Sequence, residues 1–232
     1  MQKLRALKPH KFVYLSELLT TITNGHTPRY HNLSIGEVKF LTAEHIADFK
    51  INFNTEKRIL SKHHNGELSR TRLLNNDILV TIKGRIGNVA IVENLRGNVN
   101  LNQDVALLRL TPEIHPWYIV GFLNSSIGKT LIEQICTGQI NPFLGFGNLK
   151  QIQIPIFDAK FMNEIGERIK EKTHSAHKAS AESKELLELA KTGVEKAIEQ
   201  DEKTAINWMK QQLKNLGISI NLEDATYEYR SN

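Results

Sequence analysis

Residues 73–92 read Leu-Leu-Asn-Asn-Asp-Ile-Leu-Val-Thr-Ile-Lys-Gly-Arg-Ile-Gly-Asn-Val-Ala-Ile-Val. Asn75-Asn76-Asp77 is a turn cluster, because Asn and Asp side chains bond nearby backbone and tolerate left-handed φ. Asp77 follows this turn and starts a strand, so it reads as a turn or capping carboxylate. Ile78 to Ile82 is an apolar, β-branched run of strand length. Lys83-Gly84-Arg85-Ile86-Gly87 stops the run, and Asn88 to Val92 is the returning strand. The stretch predicts an antiparallel hairpin with a long, basic tip.

Working outward, Phe12 to Ile22 reads as a short strand or helix leading to the turn signal Asn24-Gly25-His26-Thr27-Pro28. Val38 to Thr42 predicts a strand, and Thr42 to Ile46 a short capped helix. Val105 to Leu110 predicts another strand, ended by Thr111-Pro112. The period then changes. Ile119, Phe122, Leu123, Ile127, Leu131 and Ile135 predict one helix over Trp117–Ile135. A loop from Thr137 to Asn148 and a strand from Ile152 to Ile156 follow. From 160 to 201 no proline occurs, and Met162, Ile165, Ile169, Ala176, Ala179, Leu186, Ala190 and Ala197 recur at helical steps. This predicts a helix of about 60 Å. Its apolar stripe is narrow and rich in small residues, so it needs a second helix at close range. Gly193 is a weak point, and Thr204 to Leu216 is a further helical segment stopped by Gly217. The fold class is α+β, with three parts: a β-rich domain over 1–157, a helical spacer over 158–203, and a helical tail over 204–232.

The 232 residues hold one cysteine, Cys136, which excludes an internal disulfide framework and a Cys-rich zinc site and suits a reducing cytoplasm. Cys136 reads as buried. No stretch near the start is long and apolar enough to cross a membrane. Charge is unevenly placed. Residues 1–160 hold 19 basic and 12 acidic side chains, whereas residues 161–232 hold 11 and 13. A basic block joined to a near-neutral one suggests a polyanion-binding domain attached to something else.

Several short motifs suggest catalysis, and each is incomplete. Ser125-Ser126-Ile127-Gly128-Lys129-Thr130 lacks the leading glycine of a phosphate loop, since Leu123 stands there. Asn141-Pro142-Phe143 matches part of an adenine-methyltransferase loop without its second proline, and reads as a turn with Phe143 and Phe146 packed. His63-His64 would face opposite ways in an extended segment, and reads as exposed loop residues rather than a metal site. Glu37-Val38-Lys39 lacks the upstream aspartate of a nuclease motif. No catalytic residue and no metal ligand is assigned.

What remains is a set of polar, basic turns between strands. Thr27, Arg29, Tyr30, Lys57, Arg58, Arg70, Arg72, Lys83, Arg85, Asn102, Gln103, Gln139 and Asn141 are the candidate DNA contacts. Arg and Lys bind phosphate and guanine edges, and Asn and Gln can read adenine. Lys83 and Arg85 carry most weight because they flank Gly84 at the hairpin tip, where a missing side chain allows close backbone approach.

In order, these segments resemble the target recognition domain of type I restriction–modification specificity subunits. The likeness runs from Gly25-His26-Thr27-Pro28 through Val38 to Ile46, the 73–92 block and Asn100 to Val105. It continues through the Trp117–Ile135 helix, Thr137-Gly138-Gln139, Leu149 to Pro155 and the long helix, covering about residues 15–200. The resemblance implies a β-rich recognition domain, a helical spacer that pairs in coiled-coil fashion with a second chain, and binding of a bipartite duplex DNA site. It implies no cofactor in this chain: S-adenosylmethionine, ATP and Mg belong to separate adenine-methyltransferase and restriction subunits. A full-length subunit carries two recognition domains and two long helices. This chain has one of each, which implies a half-size subunit acting as a homodimer. Two alternatives stay open, a recognition module of a fused restriction–methylation enzyme and a small metal-dependent nuclease or methyltransferase.

Overall fold

A computed structural model describes residues 9–29, 32–138, 140 and 142–218. They form two compact units, divided between Glu171 and Lys172.

The first unit is built on a four-stranded antiparallel sheet in the order β2 (Leu19–Asn24), β10 (Val105–Leu110), β7 (Ile78–Thr81), β8 (Val89–Ile91). The 73–92 block makes the β7–β8 hairpin as its pattern predicts, with Ile78 opposite Ile91 and Val80 opposite Val89. All four residues of β7 are buried, so the run is apolar throughout rather than alternating. Its two faces serve different cores. Ile78, Val80, Ala106 and Leu108 pack with Trp117, Ile119 and Leu123, whereas Leu79, Val105 and Leu107 pack with Leu41, Val99 and Leu101. A second sheet orders β6 (Arg58–Ile59), β3 (Val38–Leu41) and β9 (Val99–Leu101), with β3 and β9 parallel. Short pairs join β1 (Lys11–Tyr14) to β11 (Gln153–Ile156) and β4 (Ile46–Ala47) to β5 (Lys50–Ile51). Phe12 to Ile22 is therefore two strands hinged by a 3-10 turn over Leu15–Leu18.

Asp77 accepts from Leu74 N–H at 2.8 Å, the turn role its position predicts. It also takes both arms of the Arg109 guanidinium, Nε at 2.7 Å and Nη2 at 2.8 Å. Hydrogen bonding to Asp77 raises the pKa of Arg109 further.

The single helix expected over Trp117–Ile135 is two: α2 (Pro116–Asn124) and α3 (Ser126–Ile135). Ser125 between them is extended, and its Oγ accepts from Gly128 N–H at 3.1 Å and donates to Phe122 O at 2.7 Å. A Cβ at Gly128 would lie 2.2 Å from Phe122 O, so the sharp turn requires glycine there. Lys129 is engaged internally, donating to Asp48 Oδ1 at 2.5 Å and Gly87 O at 2.6 Å.

His64 corrects the reading of exposed loop histidines. His63 and His64 lie on α1 (Ser61–Asn65), and His64 is buried against Asn100 Oδ1. The Asn100 amide then donates to Leu68 O at 2.8 Å and Thr71 Oγ1 at 3.1 Å. Cys136 is half-buried, with burial raising its thiol pKa.

After the short helix α4 (Phe146–Lys150), the long helix α5 runs Ala159–Glu199, close to the predicted span. Within the first unit its opening turns are an integral part of the core. Met162 is buried, while Ile165 and Ile169 pack at the edge beside Gly121. These three predicted pairing residues thus already have partners in their own chain. In the second unit α6 (Glu202–Asn215) packs on the end of α5. Asp201 caps α6 by accepting from Thr204 N–H at 2.9 Å. Gly193 lets Met209 approach, since a Cβ there would lie 2.4 Å from its Sδ. Gly217, at φ +71, closes α6 with Ile218 N–H bonded to Leu213 O at 2.9 Å. Leu186 is half-buried, whereas Ala176, Ala179, Ala190 and Ala197 are exposed, as are Leu187, Val194 and Ile198. Among the described residues no helix is long and apolar enough to cross a membrane.

Arg109→Met is expected to lower stability by about 2–4 kcal/mol, because it strands the Asp77 carboxylate; the loss stays below the fully buried case since Arg109 is 32% exposed. Urea unfolding measures it.

Candidate nucleic-acid interface

Strand pairing decides which loops meet. The last residue of β2, Asn24, lies opposite Ala106, and the last residue of β7, Thr81, lies opposite Val105. The loops after β2 and β7 and the loop before β10 therefore leave from one end of the sheet. Backbone bonds knit them together: Gly25 N–H to Asn102 O at 3.2 Å, and Ile82 N–H to Asp104 O at 2.8 Å. Leu144 N–H to Ile82 O at 3.0 Å adds the loop after α3, and Asn102 N–H to Leu41 O at 3.0 Å adds the turn after β3.

Gly25 is required by this junction, because a Cβ there would fall 1.6 Å from Leu101 O. Next to it, Gln103 Oε1 accepts from Thr27 N–H at 3.1 Å and Thr27 Oγ1 at 3.2 Å. Asn24 donates to Gln103 O at 2.9 Å, and Arg70 Nε donates to Asn24 O at 3.2 Å. Gln103 and Arg70 thus brace the 25–29 loop. Arg29 is exposed. Glu67 holds two histidines, His26 Nε2 at 3.0 Å and His63 Nδ1 at 2.6 Å, and these bonds keep its carboxyl below the usual range. Sequence reading missed this clamp; the i,i+4 spacing of His63 and Glu67 is its only local signal.

The hairpin tip is fixed by Thr81. Its hydroxyl donates to Arg85 O and accepts from Asn88 N–H at 2.9 Å, while Gly87 N–H bonds Thr81 O at 2.9 Å. Gly84 at φ +72 and Gly87 at φ +83 make the turn. Lys83 and Arg85 flank Gly84 and are exposed, and Lys83 Nζ stands 5.5 Å from the Phe143 ring centroid. Phe143 is 37% exposed rather than packed, while Phe146 packs on the core.

Four other candidate contacts are bonded within the chain. Asn102 is buried and bonds Asp104 Oδ2 at 2.6 Å. Arg72 donates to His64 O at 3.0 Å and Asn65 Oδ1 at 2.8 Å. Arg58 Nη1 donates to Thr55 O at 2.7 Å. Lys57 is paired with Glu44, whose pKa that bond lowers. For Asn102, Arg72 and Arg58 the physical reason is the same: each donates to a backbone or side-chain acceptor within the chain. Tyr30, Gln139 and Asn141 lie outside the described residues. The structure therefore gathers Thr27, Gln103, Arg70, Lys83 and Arg85 at one sheet end, and displays Lys83 and Arg85 most openly. Among the described residues no group of three or more His, Cys, Asp or Glu is placed to hold a metal ion.

No family model matches the chain. Over 129 residues, 54% of the chain, it is 30% identical to the type I restriction enzyme EcoBI specificity subunit of Escherichia coli. The similarity is to type I restriction–modification specificity subunits. The fold agrees. The S subunit of a type I restriction–modification system from M. genitalium superposes with a TM-score of 0.60 over 88% of this chain, at 16% identity. A chain from a structure of the complex assembly of a type I restriction–modification system gives a TM-score of 0.52 over 82%, at 17% identity. The chain spans about a quarter of the curated relative, since the match covers 26% of it, and 50% and 46% of the two solved chains. The α+β class with a long helix, expected from the sequence, is thus the fold of specificity subunits.

Gly25→Ala is expected to cost at least about 2 kcal/mol, because backbone must move to admit the methyl. A lowered thermal midpoint checks it, and Gly84→Ala, with nothing within 4 Å of the added Cβ, is expected to cost less.

Proposed function

We propose that this chain is a half-size specificity subunit that recognises duplex DNA through the loop-bearing end of its central sheet. The observation that carries this reading is the exposed pair Lys83 and Arg85 on a braced hairpin tip, beside the 25–29 and 102–104 loops. A rigid scaffold displaying readers on loops suits base recognition. The excess of basic over acidic residues in 1–160 supplies the long-range attraction.

On this reading the chain is not itself an enzyme. It directs a separate adenine methyltransferase and a restriction subunit, which bring S-adenosylmethionine, ATP and Mg, to a bipartite site in the cytoplasm. Residues 1–157 read DNA, 158–203 space and dock, and 204–232 form the tail. A second copy supplies the second recognition domain. The exposed face of α5 at Ala176, Ala179, Leu187, Ala190, Val194 and Ala197 supports that pairing, because apolar side chains at helical spacing favour a second helix.

Salt titration of binding tests the reading. Lys83→Ala is expected to weaken specific and random duplexes alike and to lower the salt slope by about one. Arg85→Ala, as a base reader, is expected to cost ~1–3 kcal/mol on the specific duplex only. Mutants that overlay wild type on both duplexes remove this hairpin from the DNA surface. For assembly, sedimentation of the chain alone is expected to give twice the 26.4 kDa chain mass, and with methyltransferase a complex that holds two copies of the chain. A strictly monomeric chain under both conditions overturns the pairing.

A further inference from the structure

The loop between Thr137 and Phe143 carries a feature that charge-based contact leaves unused. Its neck is closed by reciprocal backbone bonds, Thr137 N–H to Phe143 O at 3.0 Å and Phe143 N–H to Thr137 O at 2.8 Å. The next residue, Leu144, donates to Ile82 O at 3.0 Å, which fastens the neck to the end of the β7–β8 hairpin strand. Gly138, at φ +89, turns the chain out of α3. Beyond that neck stands Ile140, 92% exposed and the most exposed large apolar residue among those described.

A single exposed aliphatic side chain is common on protein surfaces, so exposure by itself decides nothing. The surroundings decide. Lys83 lies over the Phe143 ring at 5.5 Å, Phe143 is itself 37% exposed, and Arg85 is exposed two residues further on. An aliphatic side chain, an aromatic edge and two cations therefore share one end of the sheet, on two loops that are bonded to each other. A duplex groove has the matching order of surfaces. Its rims are phosphate, and its floor is base edges, thymine methyl groups and stacked steps. Cations meet the rims while an aliphatic side chain is driven from water onto the floor.

We propose that Ile140 enters a groove of the bound duplex and packs against its base pairs, while Lys83 lies towards the flanking phosphates and Arg85 towards a base edge. The inference rests on the DNA-recognition reading above and adds an apolar contact to it. Ile140 then contributes to discrimination between sequences rather than to general affinity, because the placement of thymine methyl groups on the groove floor varies with sequence.

The test uses the full chain and duplexes that the wild type enriches from a random library. Ile140→Ala removes side-chain atoms that make almost no contact within the chain, so its thermal midpoint is expected to match wild type. On the enriched duplex, Ile140→Ala is expected to bind roughly tenfold more weakly, the scale of the apolar area it withdraws. On a scrambled duplex of equal length it is expected to bind as wild type, and its salt slope is expected to be unchanged because no phosphate contact is lost. Equal binding of variant and wild type to the enriched duplex overturns the inference and leaves DNA recognition standing. An equal loss on both duplexes also overturns it. A wild-type chain that enriches no duplex overturns the recognition reading and this inference together.

Discussion

Strand β10 is paired along both edges, to β2 on one side and β7 on the other, and both pairings are antiparallel. That constraint organises the first unit. Because antiparallel neighbours begin where the central strand ends, the exits of β2 and β7 and the entry to β10 lie together. Three segments far apart in the chain, near residues 25, 82 and 103, are thereby brought within backbone bonding distance. The burial of β7 and most of β10 on both faces, between two separate apolar clusters, keeps the register from slipping. The Asp77–Arg109 pair adds a polar lock at the other end of the same strands.

The polar candidate residues divide by what they bond. Gln103, Asn102, Arg58 and Arg72 use their donors and acceptors within the chain, and so shape the surface without facing out from it. Lys83 and Arg85 have the opposite situation, since Thr81 holds the backbone of the tip and leaves their side chains exposed. On the proposed reading, such braces reduce the entropy that the exposed side chains would lose on binding.

The helical part has a comparable division of labour along one element. The first turns of α5 are anchored through Met162, and further along Gly193 admits Met209 of α6. Between and beside these fixed points lie exposed small and apolar residues, from Ala176 to Ile198. A helix of 41 residues with so little of its surface covered lacks the tertiary packing that a core helix has.

Local pattern by itself determined the elements. The β-branched run at Ile78, the turn cluster before it, the apolar strand from Val105 and the proline-free helical period after 160 fix φ and ψ preferences within a few residues, and the structure follows them. The order of those elements also carried the resemblance to specificity subunits. Tertiary structure decided the rest. The break at Ser125 depends on a side-chain cap and on Gly128 meeting Phe122 O, neither visible in a period of 3.6. The burial of His64 depends on Asn100, 36 residues away. Which of the basic and amide side chains brace and which are displayed depends on what lies beneath each loop. Composition marks all of them as polar, and only the packed chain shows that Asn102 and Arg72 are consumed internally while Lys83 and Arg85 face out.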